Sequence, residues 1–441
     1  MSAIKVKLAV MNFLEFAVWG AYLTSLGIYL HGAGLLDKIY WFYTVQGIVS
    51  IFMPAIVGIL ADRKIQAQKM LSLCHWIAGI FMCAATYYCW RAGADVEFGP
   101  LFTLYTISVA FFMPTIGLAN SVAYTALNKA GLDTVKHFPP IRVFGTVGFI
   151  ASMLLTNFLT IKGVQMQNTY FQLLSSGIFS FILAVYALTM PKCPTSKAQS
   201  TSLVDAFGLR AFTLFRNRKM AIFFIFSMLL GVSLQITNSY GTTFINAFAM
   251  VPQYVNSWVA NNATALISLS QISETLCILL IPFCLKKFGI KGVMMIAMIA
   301  WVLRFGFFGL GNPEFPGVTL FILSCVVYGV AFDFFNISGS LYVDKQTHPS
   351  MRSSAQGLFM LMTNGFGATL GTIAAGQVVN HYVDSVPKTE QIAGWETSWY
   401  IFAAYALAVA VLFWLIFRDD DDRKVRTDEL GKIESTDAEM I

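Results

Sequence analysis

Apolar runs of about twenty residues, long enough to span a hydrocarbon core as a helix, recur along almost the whole chain. They predict twelve membrane-spanning helices, starting near Lys7, Lys38, Lys69, Leu101, Pro140, Asn168, Lys219, Trp258, Ile290, Pro316, Met351 and Thr397. Short polar connections separate them. One longer break, Pro191 to Arg218, is polar and basic and reads as a linker. The pattern predicts an all-α integral membrane protein of two six-helix halves. These are residues 1–190 and 219–418, with 191–218 as a cytoplasmic linker and 419–441 as a charged cytoplasmic tail. Transporters built by such repetition place the substrate site near the midplane, between the halves.

Composition narrows the class. Of 441 residues, 57% are hydrophobic and only 12% charged, about half the charge fraction of a soluble domain. The net charge of +6 is topological. Arg63, Lys64 and Lys69 follow the second span, Arg210, Arg216, Arg218 and Lys219 precede the seventh, and Arg418, Arg423 and Lys424 follow the twelfth. Only Lys38, Arg91, Lys162 and Lys388 fall on the other side. By the positive-inside rule both termini are cytoplasmic, and no nucleic-acid partner is expected. The first apolar run is too long for a signal peptide and stays as the first span. Seven cysteines without a C-x-x-C pair and five scattered histidines imply no disulfide, metal or other cofactor. His75 reads as a packed helix residue.

No phosphate-binding G-x-x-x-x-G-K-[ST], nucleophile elbow, H-E-x-x-H pair or dinucleotide fingerprint occurs, so an enzyme is not expected. The chemistry lies in polar residues inside the spans. Five are ionisable: Glu15, Arg142, Glu274, Arg304 and Asp333. A charge at mid-bilayer depth costs about 2.5–3.5 kcal/mol on insertion scales and calls for a partner, a wet cavity or a task. Asp333 lies in Cys325–Ser340, where Tyr328, Phe332 and either Phe335 or Asn336 share a helix face. Gln235 with Asn238, and Gln271 with Glu274, are three apart and share faces; Arg142, Thr146 and Phe149 form an i, i+4, i+7 line. Each has a packing alternative. Amides bond neighbouring helices in membranes, and Arg142, just after the Pro139–Pro140 pair that starts the predicted fifth span, could snorkel. Arg304 reads as a structural or gating partner, and Glu15 as part of a proton path or the partner of a cation. Amides and carboxylates recognise hydroxyls and base edges, while rings stack on flat heterocycles. A neutral solute with hydroxyls and an aromatic ring, a nucleoside, fits this mixture best.

Gly58-Ile-Leu-Ala-Asp-Arg-Lys64 resembles the loop motif of the major facilitator superfamily, which implies a gating role for Gly58, Asp62 and Arg63. There the small Gly58 would let two helices approach. In that fold spans one, four, seven and ten line the cavity, with five and eight beside them, and the buried polar residues fall largely on these spans. Longer stretches resemble bacterial nucleoside permeases of the nucleoside:proton symporter family: Phe138–Phe149, Met220–Gly231 with Leu234–Asn238, Ile267–Thr275, Tyr328–Ser340 and Ser354–Phe366. The resemblance implies that Arg142, Thr146, Phe149, Gln235, Asn238, Gln271, Glu274, Tyr328, Phe332 and Asp333 line a nucleoside site. The first span departs from the family's pattern, which carries glutamine at the position of Glu15.

The expectation is proton-coupled uptake of nucleosides, purine or pyrimidine, by alternating access in the inner membrane. Asp333, Glu274 and Glu15 are the candidates for the coupling proton. Nucleoside, protons and the lipid bilayer are the expected partners, and the protein is expected to be a monomer. A proton-coupled sugar symporter, or a membrane receptor that binds nucleosides without moving them, are the alternatives.

Overall fold

A computed structural model describes residues 3–194, 209–347, 352–388 and 390–417. The chain is almost entirely helical: α1 Ala3–Gly20, α2 Leu26–Gly32, α3 Ile39–Arg63, α4 Ala67–Ala92, α5 Phe98–Lys129, α6 Thr134–Phe158 and α7 Phe171–Ala187. After the linker come α8 Arg218–Ala247, α9 Ala263–Cys277, α10 Ile281–Leu310, α11 Gly317–Gln346, α12 Arg352–Met360, α13 Ala368–Val379 and α14 Gln391–Ile416. Among the described residues nine helical segments are long and apolar enough to cross a membrane. The longest, Ala263–Leu310, holds 48 residues and contains Gly289 at φ +67°, a conformation that glycine alone adopts readily. That bend lies next to Ile290, near which the ninth span is predicted to begin, with Lys286, Lys287 and Lys291 around it. The linker residues 195–208 and the tail lie outside the described residues.

Where helices break, other groups take up the freed carbonyls, as an apolar setting requires. Between α1 and α2 the chain leaves the helix at Ala21–Ser25. The Thr156 hydroxyl donates to Ala21 O at 2.9 Å, Tyr43 to Leu23 O at 2.7 Å, and Thr242 to Thr24 O. Among the described residues the one β element is a hairpin, Thr160–Ile161 with Val164–Gln165 in antiparallel register, turning through Lys162 and Gly163 at φ 52° and 83°. Two positive-φ residues suit the tight hairpin turn. Pro139 and Pro140 do not start their helix as the sequence implied. They lie one turn inside α6, which begins at Thr134.

Close crossings set the helix positions. A Cβ at Gly148 of α6 would lie 2.1 Å from Phe13 O of α1, and one at Gly329 of α11 would lie 2.6 Å from the Ser273 backbone of α9. Both pairs therefore pack backbone to backbone. Helices before the linker pack mainly on one another, as do those after it, and α3 with α13 and α6 with α9 join the two sets. At one end of the bundle the join is polar. Asn157 Nδ2 donates to Asn262 Oδ1 at 2.7 Å, Gln167 Nε2 to Asn261 O at 2.7 Å, and Asn380 Nδ2 to Asp37 O at 3.1 Å.

Candidate functional site

The intramembrane charges resolve into three settings. The first is on α1. Glu15 is fully buried; its Oε2 lies 3.0 Å from His75 Nε2 and its Oε1 accepts the Thr115 hydroxyl at 2.6 Å. His75 Nδ1 meets Ser180 Oγ at 2.9 Å, and that hydroxyl also donates to His75 O at 3.1 Å. Four helices, α1, α4, α5 and α7, are thereby pinned at one point. The imidazole is packed, as the sequence implied, and both ring nitrogens also have partners.

The second setting is on α10. Arg304 has no exposed surface. Its Nε donates to Thr237 Oγ1 at 3.3 Å, and its Nη1 donates to Ser270 Oγ at 3.3 Å and Ser324 O at 2.7 Å. Its guanidinium lies over the Tyr328 ring, 4.4 Å from the centroid.

The third setting gathers most of the sequence candidates. The guanidinium carbon of Arg142, on α6, lies over the Phe16 ring, 3.7 Å from its centroid. Gly145 makes room for this: a Cβ there would meet Arg142 Nη1 at 2.6 Å and the Phe16 ring at 2.7 Å. Glu274, Glu15 and Asp333 are the acids within electrostatic reach of the guanidinium. Asp333 in turn faces Glu274 and Arg142. Asp333 is only 7% exposed, and its Oδ2 has no hydrogen-bond partner among the described residues. Arg142, Glu274 and Asp333 thus form one electrostatic group drawn from α6, α9 and α11. Glu15 lies within its field but is hydrogen-bonded elsewhere.

Around this group the rings and amides are placed by helix periodicity. Tyr328 and Phe332, one turn apart, are parallel within 7° at 6.0 Å, and Trp301 meets Tyr328 edge-on at 5.9 Å. Gln271 is half-buried one turn before Glu274. Phe149 is buried beside Trp19, ring edge to face at 6.2 Å, and Thr146 is half-buried one turn before it. Gln235, Asn238 and Glu274 are half-buried. Of the two residues that could continue the Tyr328–Phe332 face, Phe335 packs on Phe223 and Phe359, while Asn336 is half-buried. A narrow, partly open cleft runs beside Phe332 and Asn336, walled by Leu234, Trp301 and Thr363.

Phe16, Trp301, Thr237, Ser270 and Ser324 carry part of this geometry without having stood out in the sequence. Their only signal was membership of spans that also hold a charge or a pair of amides. In the loop motif, a Cβ on Gly58 would meet nothing within 4 Å. That glycine is therefore not at a tight helix crossing in this conformation, unlike the close approach expected of it. The side chains of Asp62 and Arg63 lie outside the described residues.

The side chains of the third setting are of the types that recognise a flat polar solute. Rings offer stacking faces, amides offer paired donors and acceptors, and three charges sit where a proton or polar group can change their balance. Comparison with known proteins is consistent with this chemistry. The model of the nucleoside H+ symporter family matches residues 1–422. The xanthosine permease of Escherichia coli (strain K12) is 44% identical over 426 residues, covering 95% of this chain and 97% of its own. The nucleoside permease NupG of the same organism is 43% identical over 418 residues, covering 94% and 96%. A crystal structure of the nucleoside transporter NupG superposes with a TM-score of 0.83 at 42% identity, covering 95% of this chain and 100% of that one.

Proposed function

The chain belongs to the nucleoside H+ symporter family, and from that premise we propose that it carries nucleosides across the membrane together with protons, binding both at the Arg142–Glu274–Asp333 group. The observation that carries the reading is the charge balance of that group. Two carboxylates and one guanidinium, all ionised, leave one negative charge at membrane depth, where a net charge is costly. One added proton makes the group neutral. Asp333, buried and with an unpartnered Oδ2, is the acid that takes the proton. The nucleobase stacks against Phe332 and Tyr328. Gln235, Asn238 and Gln271 hydrogen-bond the base edges and ribose hydroxyls, and Thr146 and Phe149 close the α6 side.

The helices form twelve spans in two six-helix halves, with α1 and α2 together making the first and Ala263–Leu310 two more. Alternating access then exchanges the polar seal at Asn157, Asn262, Gln167 and Asn380 for an opening, while the cleft beside Phe332 and Asn336 closes. Both termini face the cytoplasm of an inner membrane by the distribution of basic residues, so the present conformation opens inward. The protein works as a monomer, since one chain supplies every member of the site. A membrane potential adds about 2.3 kcal/mol per 100 mV for each charge moved, roughly 50-fold accumulation.

Uptake of labelled uridine and adenosine into vesicles, with an imposed proton gradient and with a protonophore, tests this. The gradient is expected to raise the accumulated label, and the protonophore to abolish the rise. Uptake indifferent to the protonophore would remove the proton, and competition by ribose or a disaccharide but not by nucleosides would turn the reading to a sugar.

A further inference from the structure

Arg304 is a cation buried without a carboxylate among its hydrogen-bond partners, which for a membrane helix is a costly arrangement in need of a reason. Its partners are not scattered. Thr237 lies between Gln235 and Asn238 on α8, Ser270 precedes Gln271 on α9, and Ser324 lies one turn before Tyr328 on α11. Each contact therefore falls beside a residue of the solute site, although α10 itself contributes no group to the Arg142–Glu274–Asp333 cluster. The Ser324 hydroxyl returns a bond to Arg304 O at 2.9 Å, locking α10 to α11. One guanidinium face then covers the Tyr328 ring at 4.4 Å. Trp301, from the preceding turn of α10, meets the same ring edge-on at 5.9 Å. Two side chains of α10 thus fix the tilt of the ring, and the guanidinium is held by three helices while it does so.

We infer that Arg304 is a positioning residue for nucleoside binding: it holds Tyr328 at the angle from which the ring presents itself to the solute. This rests on the reading of the cavity as a nucleoside site. Only a planar fork can reach the Ser324 carbonyl, two hydroxyls and a ring face together; lysine keeps the charge but offers a single point.

The test is a cycle of R304K and Tyr328→Leu in full-length protein reconstituted in proteoliposomes, reading KM for uridine, maximal rate and the melting temperature of the solubilised protein. R304K is expected to raise KM about tenfold, the equivalent of roughly 1.4 kcal/mol, with a melting temperature near that of the parent. In the Tyr328→Leu background the same change is expected to shift KM by less than about twofold, because the ring through which it acts is gone. An unchanged KM for R304K, or effects that multiply in the double variant, would overturn the proposal and leave Arg304 as a brace alone. Should R304K fold poorly, Thr237→Val with Ser270→Ala removes two anchors and keeps the cation, and the same KM shift is expected. Parent protein that transports neither uridine nor adenosine would overturn the cavity reading instead.

Discussion

Glu15 and Asp333 are both carboxylates at membrane depth, yet their surroundings are built in opposite ways. Glu15 has a partner on each oxygen, His75 and Thr115, and His75 is held in turn by Ser180. Asp333 keeps an unpartnered Oδ2 and shares one cation with Glu274. A fully partnered charge holds helices together; an incompletely partnered one keeps capacity for something that comes and goes. Arg304 stands between the two. Three of its bonds are made, but its Nη2 is left without a partner among the described residues.

The sharpest way to break this contrast is to remove each acid's role separately. Asp333→Ala is expected to lower proton-driven nucleoside uptake at least about 100-fold, near 2.7 kcal/mol, with little loss of thermal stability. Asp333→Asn is expected to retain exchange of labelled for unlabelled nucleoside and lose accumulation against a gradient. Normal accumulation in either variant would return Asp333 to a structural role. His75→Ala is the converse case. It leaves Glu15 Oε2 without a partner, Thr115 alone remaining on Oε1, and is expected to cost about 3–5 kcal/mol of stability, read as a lowered melting temperature, while KM for uridine moves by less than about threefold. A large KM change at full stability would place the Glu15 cluster in the transport path. The smallest effect belongs to a single amide. Gln235→Ala is expected to raise KM up to about tenfold, the range of one hydrogen bond, without touching proton coupling, measured as substrate-driven alkalinisation outside vesicles.

Much of this arrangement was legible in the sequence for one physical reason: polar residues are sparse in membrane helices because they are costly there. Arg142, Glu274 and Asp333 stood out on that ground alone, and helical spacing grouped Tyr328 with Phe332 and Gln271 with Glu274. The Glu15–His75 contact was not legible, since sixty residues and two loops separate them and each admits several partners. The anchors of Arg304 were hidden for a related reason. Serine and threonine are ordinary in such helices and often bond the carbonyl one turn back, as Ser227 does to Phe223. Nothing in the chain tells which hydroxyl turns outward instead.

The sequence by itself determined the membrane setting, most helix boundaries and which residues could carry charge into the bilayer, because length, hydropathy and periodicity are local properties. The tertiary structure alone decided which charges meet. The rotation of each helix about its axis, set by close crossings such as Gly148 on Phe13 and Gly329 on Ser273, gave Glu15 to His75, Arg304 to the Tyr328 ring and Arg142 to the two acids. Pairing depends on that rotation, and rotation is fixed by neighbouring helices distant in the chain.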